Sequence, residues 1–528
     1  MDWTGFLVLG DVARTNARTY GDKAAFRTAD GITTVSFALF NARVNRLNAA
    51  LAGLGVQKGA RVAILSRNRH EYVEALGVAK TGLIGVPLNW RLSVGEIRAL
   101  LLLSRPQVVI VEACFVAVVE ALRAELPFVR LFAVIGSAGD GWTDYEVLLA
   151  RGVDTEPAAS ALPDDVLCLM HTSGTTGAPK EAALTHRGVL ANCRTAVDQL
   201  LGLTPDDRSL AVMPFFHVGG FWYHLFPGFA AGCTTTILPE FDAAAVLRIL
   251  AEQSITVVHL VPTMIAALVE RPEACQLDLA CLRLIHYAAS PIPVELLKRA
   301  LATFSRSGFV QGYGSTEAGM ITALFPEDHA AALADPTKAP LLLSCGRPLP
   351  GVEVSVSSLD GRPAAADEVG EIAVRGGRTM VGYWQDPEAT ARILADGWLS
   401  TGDVGFKDAA GYITLVARRG DMIITGGENV YPREVEEVLH RDPCVLEAVV
   451  FGIPDPRWVE RVVAAVVPRP GSAAVAEDII GRTRAQLAGY KCPKTVFVLD
   501  SLPKNATGKV LKTELRRRFA QGDRDISA

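Results

Sequence analysis

The segment TSGTTGAPK, residues 172–180, concentrates hydroxyl groups, glycines and a lysine in nine consecutive positions. Glycines let a backbone bend and approach a ligand closely, and the exposed amides of such a loop form a concave anion site. Four hydroxyls add hydrogen-bond donors, and Lys180 adds a positive charge. This composition suits a polyphosphate, but a solvated linker has it too, and the Walker spacing G-x-x-x-x-G-K-[ST] is absent.

The elements around this segment bear on the choice between these interpretations. The apolar run Val166–Met170 predicts a buried strand that ends just before the segment. After it, apolar residues at helical spacing from Val189 to Leu200 predict a helix, with Thr185 as its N-cap. The order of strand, loop, lysine and helix counts against a linker, but composition alone leaves both interpretations open.

Four more segments carry side chains suited to chemistry, although each also has an ordinary structural interpretation. In QGYGSTE, Tyr313 offers a flat stacking face and Glu317 a hard oxygen ligand, but the composition is also that of a turn. In STGD, Asp403 can simply cap a turn. In MPFFHVGG, His217 is typical of a core or surface histidine, and in LPKNATGKVLK, Lys509 belongs to a basic turn before a terminal helix.

Length and composition narrow the class of protein. A chain of 528 residues exceeds the usual single-domain size, and its 50% hydrophobic content is ample for large cores. The net charge of −5 gives no bulk attraction to nucleic acid. The nine cysteines form no C-x-x-C pair, which argues against a disulfide framework or a zinc site and favours a reducing compartment. Since there is no basic leader and no apolar run of roughly 18 residues, we expect a cytoplasmic protein without a transmembrane segment.

Short apolar runs alternate with amphipathic stretches over much of the chain. Val62–Leu65 and Val108–Val111 predict strands, and Glu71–Ala79 predicts a helix between them. Such alternation predicts an α/β fold with a mostly parallel sheet, whose ligands bind beyond the carboxyl ends of the strands. After about Asp335, proline- and glycine-rich turns between short segments predict a compact β region. Residues 418–421, RRGD, interrupt apolar segments and predict a boundary to a small separate domain.

In chain order, these segments resemble the motifs of the adenylate-forming superfamily, which includes acyl-CoA synthetases, luciferases and peptide-synthetase adenylation domains. The resemblance runs from about residue 20 to residue 515, and the wording GGENVYP that begins at Gly426 is typical of acyl-CoA ligases within that superfamily. It implies a large N-terminal domain of βαβ sheets with a small β-barrel-like region, followed by a small mobile α+β domain. It places the adenylation domain at residues 1–417, a hinge at 418–421 and the C-terminal domain at 422–528.

The resemblance also assigns ligands to individual residues. ATP contacts are implied for the phosphate loop and for the YGSTE, STGD, hinge and C-terminal segments, namely Thr172, Ser173, Gly174, Thr175, Thr176, Gly177, Lys180, Gly312, Tyr313, Gly314, Thr316, Asp403, Arg418 and Lys509. Thr172 and Glu317 are implied ligands of Mg²⁺. Gly426 and Gly427 are implied to line the route of the coenzyme A thiol.

The implied reaction explains why these residue types are needed. When a carboxylate attacks the α-phosphorus of ATP, negative charges converge, and a mobile ammonium group together with Mg²⁺ offsets the repulsion. Lys509 matches the catalytic lysine of the family, and Lys180, Thr172 and Glu317 are its implied catalytic partners. His217 is implied to gate the entry of the acid, because a carboxylate nucleophile needs no general base near neutral pH.

The acyl pocket is expected from three segments, Phe216–Tyr223, Tyr287–Ser290 and Gly312–Gly314. The implied substrate contacts are His217, Trp222, Tyr223, Tyr287, Ala288, Ala289 and Gly312. If the bulky Trp222 and Tyr223 face the pocket, they reduce the space for a long chain. This favours a short-to-medium-chain or aromatic carboxylic acid.

The sequence thus predicts a synthetase that forms acyl-AMP and pyrophosphate and then transfers the acyl group to coenzyme A. Two alternatives stay open: an enzyme that loads the phosphopantetheine of a carrier protein, and a nucleotide-binding regulatory protein with weakened catalysis. The second arises because Glu181 stands where the family usually has glycine, although retention of Lys509 argues against it. Gly420, in place of a hinge Asp or Lys, leaves the pivot residue open. No nucleic-acid partner is expected, and the sequence does not distinguish a monomer from a homodimer.

Overall fold

Strands and helices alternate through most of the N-terminal region, as the sequence predicts. The computed structural model describes residues 3–137, 139–158, 160–173, 179–358, 360–472, 475–505 and 508–520. The strands are, in chain order, β1 (Ala24–Thr28), β2 (Thr34–Ser36), β3 (Arg61–Leu65), β4 (Ile84–Pro87), β5 (Val108–Glu112), β6 (Leu131–Ile135), β7 (Thr143–Asp144), β8 (Val166–Ser173), β9 (Pro179–Thr185), β10 (Arg208–Ala211), β11 (Thr234–Ile237), β12 (Val257–Leu260), β13 (Leu284–Tyr287), β14 (Gly308–Ser315), β15 (Gly319–Leu324), β16 (Arg347–Pro348), β17 (Val352–Ser358), β18 (Gly370–Gly376), β19 (Gly382–Tyr383), β20 (Leu394–Ala395), β21 (Trp398–Lys407), β22 (Ile413–Arg418), β23 (Ile423–Thr425), β24 (Glu428–Val430), β25 (Val445–Asp455), β26 (Val459–Pro468) and β27 (Thr495–Val498). The α-helices are α1 (Leu9–Tyr20), α2 (Phe37–Gly53), α3 (His70–Leu76), α4 (Val94–Ser104), α5 (Val116–Glu120), α6 (Tyr145–Ala150), α7 (His186–Thr195), α8 (Phe226–Ala231), α9 (Ala243–Glu252), α10 (Pro262–Val269), α11 (Val294–Thr303), α12 (Pro326–Ala334), α13 (Pro387–Ile393), α14 (Pro432–His440), α15 (Ala476–Arg484) and α16 (Lys512–Ala520).

Two large sheets form the N-terminal region. Among the described residues, one has the strand order β16-β15-β14-β13-β12-β10-β11-β1-β2 and the other β19-β9-β8-β4-β3-β5-β6-β7. Strands β12, β13 and β14 run parallel, as do β4, β3, β5 and β6. Strand β5 is buried along its whole length, which its run of valines and isoleucine favours in a sheet covered on both faces. The carboxyl ends of β12, β13 and β14 lie at one edge of the sheet, where the predicted segments Tyr287–Ser290 and Gly312–Gly314 also lie.

Two smaller sheets follow along the chain. Strands β17, β18, β20, β21 and β22 form an antiparallel sheet, and β23 to β27 form a separate sheet with α14 to α16. The predicted α/β fold, with a large N-terminal and a small C-terminal domain, is confirmed. Residues Arg419–Asp421 join the two as one 3₁₀ turn, in which a β-carbon on Gly420 would meet no atom within 4 Å. Within the described parts of the chain, no helix combines the length and apolar character needed to cross a membrane.

One local element differs from its prediction. The chain after the phosphate loop does not pass directly into a helix, because Pro179–Thr185 forms β9 and pairs antiparallel with β8, opposing Lys180 to Thr172. The sequence did not predict this strand, since residues 180–184, KEAAL, contain no β-branched or aromatic residue and the pairing with β8 determines their conformation. The predicted helix follows as α7, with the Thr185 hydroxyl accepting from the Gly188 amide at 3.1 Å. Four predicted ATP contacts lie outside the described residues, namely Gly174, Thr175, Thr176 and Gly177.

The C-terminal domain lies against the N-terminal region through a few close contacts. Nη1 of Arg433 donates to the carbonyl oxygen of Leu415 at 2.8 Å. Gly508 approaches α10 so closely that a β-carbon on it would lie 2.5 Å from Oγ1 of Thr263. Lys509, the next residue, lies close enough to Asp403 of β21 for their charges to interact.

Candidate active site

A cluster of charged and hydroxyl side chains lies where β14, the small antiparallel sheet and the C-terminal domain meet. Nε of Arg418 pairs with Oδ1 of Asp403 at 2.7 Å, and the Tyr313 hydroxyl donates to Oδ2 at 2.6 Å. Asp403 and Arg418 oppose each other in the ladder of β21 and β22, so backbone pairing positions the ion pair. Lys509 interacts electrostatically with both. These four residues, which we call the nucleotide-side cluster, come from separate segments of the sequence.

The charges of this cluster influence one another's protonation. Burial raises the pKa of Asp403, while Arg418 and the Tyr313 hydroxyl oppose that rise. Desolvation lowers the pKa of Lys509, the Arg418 guanidinium lowers it further, and Asp403 counteracts both effects. Two neighbouring cations in a partly desolvated place attract a polyanion, because its negative charge relieves their mutual repulsion.

Tyr383 joins three of the predicted phosphate and metal contacts. Its hydroxyl donates to Oε1 of Glu317 at 3.0 Å and interacts with the side chain of Thr172. Nζ of Lys180 lies 4.8 Å from the centre of its ring. Sequence reasoning missed Tyr383, because it reaches this place only through the pairing of β19 with β9. The neighbouring residues GYWQ give no spacing signal that would have identified it.

Glu181 is buried and has a partner of its own, the partly buried His171. Its Oε1 lies 3.0 Å from Nε2 of His171, and Nδ1 of His171 lies 3.1 Å from the carbonyl oxygen of Pro87. A carbonyl oxygen only accepts, so Nδ1 carries a proton, and the contact between Nε2 and Glu181 needs a second proton shared by the pair. Glu181 is therefore bonded within the β8–β9 hairpin, and its predicted effect on the rate stays a prediction.

Two aromatic residues that follow His217 lie next to the end of β14. Burial lowers the pKa of His217 to about 4, so its ring is neutral near pH 7. Trp222 is fully buried, and the Tyr223 hydroxyl donates to the carbonyl oxygen of Ser315 at 2.8 Å. Trp222, Tyr223 and Thr316 line one small cavity. The proximity of these segments agrees with a shared pocket, although their contacts with an acid stay predictions.

Tyr287 is turned away from the other predicted substrate contacts. Its ring packs in the core formed with α10 and α11, and its hydroxyl lies 2.8 Å from Nε2 of His329. Because side chains alternate along a strand, this face of the sheet is opposite to the face of His286 and Gly312. Ala288 and Ala289 follow β13 as irregular chain. Only the backbone of Tyr287 could therefore contact the acid, and that contact stays a prediction.

Three buried histidines that the sequence did not single out lie close to one another and to Gly219. The rings of His259 and His286 are stacked with centroids 4.0 Å apart, and the ring of His224 lies 5.7 Å from that of His259. Each is at most 2% exposed. We call these residues the histidine row. Strand alternation in β12 and β13 could have placed two of them on one face, but their adjacency depends on the strand register.

The predicted thiol-route glycines form a tight turn. Gly426 and Gly427 connect β23 to β24 with φ values of 61° and 88°, which favour glycine at both positions. The Gly426 amide donates to the carbonyl oxygen of Trp458 at 2.8 Å, and a β-carbon on Gly426 would lie 3.0 Å from the Trp458 ring. The turn therefore has a structural reason for its glycines beside the predicted contact with coenzyme A.

Comparisons with known proteins agree with this geometry. Residues 13–384 match the AMP-binding enzyme family, and residues 434–509 match the AMP-binding enzyme C-terminal domain. The chain is 38% identical over 491 residues to indoleacetate–CoA ligase of Aromatoleum aromaticum, covering 92% of this chain and 94% of the relative. It is 38% identical over 490 residues to feruloyl-CoA synthase of an Amycolatopsis species, covering 93% and 95%. The crystal structure of the anthranilate CoA ligase AuaEII with anthranoyl-AMP has a TM-score of 0.89 at 28% identity and covers 97% of both chains.

Proposed function

The chain belongs to the AMP-binding enzyme family, and we propose that it joins an aromatic or short-to-medium-chain carboxylic acid to coenzyme A through an acyl-adenylate. Its class, an AMP-forming acid–thiol ligase that uses ATP, follows from its ligase relatives. The observation that best supports the assignment of the first step is the position of Lys509 beside Asp403 and Arg418. That arrangement suits a nucleotide whose ribose hydroxyls bond Asp403 and whose α-phosphate meets Lys509.

In the first step, a carboxylate oxygen of the acid attacks the α-phosphorus of ATP. The new bond is an acyl–phosphate anhydride, the bond to the β-phosphate oxygen breaks, and pyrophosphate leaves. Lys509 and Lys180 offset the negative charge that converges on the phosphorus. The acid is already ionised near pH 7, so it needs no general base. His217, which is neutral at that pH, acts at the entrance for the acid.

Glu317 and Thr172 would hold Mg²⁺ in this step. Both supply hard oxygen atoms, and they already share Tyr383 as a hydrogen-bonding partner. The described residues contain no group of three or more His, Cys, Asp or Glu side chains suited to a metal ion. This fits an ion that takes most of its ligands from phosphates and water. When bound, Mg²⁺ neutralises charge on the phosphates.

In the second step, the thiolate sulfur of coenzyme A attacks the carbonyl carbon, the bond to the phosphate oxygen breaks, and AMP leaves. We propose that residues 422–528 rotate about residues 418–421 between the steps, which withdraws Lys509 and brings the Gly426–Gly427 turn to the thiol route. The hinge carries an ion pair between Arg516 and Asp421, whose atoms lie 2.9 Å apart. A partly exposed pair of this kind stabilises by about 1 kcal/mol or less, so it is a small obstacle to the rotation.

Pyrophosphate release with Mg·ATP across a panel of carboxylic acids, with and without coenzyme A, tests this function. We expect coenzyme A-dependent turnover and a thioester, identified by mass spectrometry, with at least one aromatic or short-to-medium-chain acid. Acyl-AMP and pyrophosphate without a thioester would point to a carrier-protein acceptor. Measurable ATP binding without pyrophosphate release from any acid would contradict the proposal and favour a regulatory protein.

A further inference from the structure

The histidine row lies against one face of the large sheet, next to Gly312 and Gly219, which belong to two of the predicted acyl-pocket segments. His259 of β12 pairs with His286 of β13, and His286 pairs with Val310 of β14, so the three side chains share one face. Val310 packs in the same core as Trp222. A β-carbon on Gly312 would lie 2.7 Å from Nε2 of His286, so only glycine fits there.

The hydrogen bonding of His259 determines its tautomer. Its Nδ1 lies 3.0 Å from the carbonyl oxygen of Gly219, two residues after His217. Because a carbonyl oxygen only accepts, Nδ1 carries the proton. Burial and the two neighbouring histidines keep the pKa of His259 well below its ordinary value, so the ring is neutral and Nε2 is an acceptor. No group in the described ranges donates to Nε2.

The ring nitrogens of His286 have even fewer hydrogen-bond partners than those of His259. Neither of its ring nitrogens has a hydrogen-bond partner among the residues that the structure describes. Burial lowers its pKa to about 3, so the ring is neutral and presents one donor and one acceptor. A phenylalanine or leucine at either position would fill an apolar wall without leaving buried nitrogens unpaired. Two adjacent histidines with unpaired nitrogens lie beside Gly219 and Gly312, which belong to predicted acyl-pocket segments, and therefore indicate a polar ligand.

We infer that Nε2 of His259, assisted by His286, accepts a hydrogen bond from the acid, so that the substrate is an aromatic acid bearing a hydroxyl, an amine or a ring N–H. This inference rests on the proposed function and specifies the substrate of the same site. A site built to hydrogen-bond a substrate rejects an analogue that lacks the donor, because the buried nitrogen then stays unpaired. A purely apolar pocket would distinguish the same two acids only weakly.

Isosteric pairs of acids test the inference on the full-length wild-type chain. Suitable pairs are indole-3-acetate with benzothiophene-3-acetate, 4-hydroxycinnamate with 4-methylcinnamate, and anthranilate with 2-methylbenzoate. We expect kcat/KM for thioester formation to favour the donor-bearing acid by about 10- to 100-fold in the pair that the enzyme accepts. Equal use of both members overturns the inference and leaves the ligase function intact, whereas no turnover with any acid overturns both.

Variants test whether His259 is the origin of the preference for the donor-bearing acid. His259→Phe keeps a stacked ring but removes the acceptor, so the donor preference should fall to less than threefold. His329→Asn is the matched control, because His329 is buried on the opposite face of the sheet and should leave the preference unchanged. The ratio of the two kcat/KM values in one preparation does not depend on how much of the variant is folded. Retention of the full preference in His259→Phe overturns the inference.

Discussion

The polar side chains on the two sides of the candidate site differ in how many hydrogen-bond and ion-pair partners they have. On the nucleotide side, Arg418 and Tyr313 engage the two carboxylate oxygens of Asp403 at 2.7 and 2.6 Å. On the acyl side, three ring nitrogens of His259 and His286 have no partner in the described parts of the chain. Under the proposed function, the groups that meet ATP in every turnover are positioned beforehand, whereas the groups that select the acid are completed only when it binds.

The difference also has a structural origin. The nucleotide-side ion pair joins directly opposed residues of two antiparallel strands, so the ladder that forms the sheet also forms the pair. His259 and His286 lie on adjacent parallel strands that a long connection separates in sequence, and their stacking depends on the register of those strands. A change on the nucleotide side should therefore impair activity with every acid, and a change in the row should act on some acids only.

The largest expected effect is that of Lys509→Ala. Removing the ammonium group leaves the charge that converges on the α-phosphorus uncompensated, so adenylation should fall by about 10²- to 10³-fold with every acid. Thioester formation from supplied acyl-AMP and coenzyme A should change little. Lys504→Ala is the matched control, since Lys504 pairs with Glu447 and should leave both rates near wild type. Equal loss in both steps of the Lys509 variant would count against its assigned role.

A smaller effect is expected for Asp403→Asn. The amide keeps the size of the side chain but loses the charge that balances Arg418 and one of two acceptors for ribose, so KM for ATP should rise by about 10- to 100-fold. KM for the acid should stay within about threefold, which separates the two sides of the site. Glu353→Gln removes an exposed partner of Arg375 and serves as the control. A rise in both KM values would show that the two sides are not independent.

The sequence was informative wherever chemistry and local structure coincide. Thr185 could be recognised as an N-cap because the hydroxyl and the helix that it caps are neighbours in the chain. The phosphate loop and the segment of Asp403 were identified through their resemblance to family motifs, and their contacts with ATP stay predictions. Tyr383 and the histidine row could not, since strand pairing alone brings them to the site. The ring of Tyr287 lies on the face opposite to Gly312 because one step along a strand reverses the face, and its contact with the acid stays a prediction.

The pH dependence of the free energy of unfolding should also distinguish the two sides of the site, because the buried histidines lie on the acyl side. Burial lowers the pKa of His224 to about 4 and that of His286 to about 3, so the folded state excludes their protons. Their stabilising contribution is complete above the ordinary histidine pKa of about 6.5 and is lost as the pH falls towards 4. By pH 5 the loss is about 2 kcal/mol for each histidine.

Urea unfolding of the His286→Phe variant at pH 7.5 and pH 5.0 measures this contribution. The free energy of unfolding should fall by about 2 kcal/mol less in the variant than in the wild-type chain. His440→Gln replaces a partly exposed histidine of α14 and should follow the wild type. An equal fall in the wild type and in His286→Phe would mean that His286 is already solvated in the folded state, which would weaken the contrast between the two sides.

The smallest effect on catalysis is expected at Glu181, which belongs to neither side. Glu181→Gln keeps a hydrogen bond to Nε2 of His171 but removes its charge, so the free energy of unfolding should fall by about 1–2 kcal/mol while kcat stays within tenfold. A double-mutant cycle with His171→Asn should give a coupling energy of about 1 kcal/mol. A drop in kcat beyond tenfold, with unchanged stability, would mean that Glu181 acts on the phosphate loop. The β8–β9 hairpin would then be a third functional region beside the nucleotide and acyl sides. Glu181, which belongs to neither side, would influence the rate through the hairpin that carries Thr172 and Lys180.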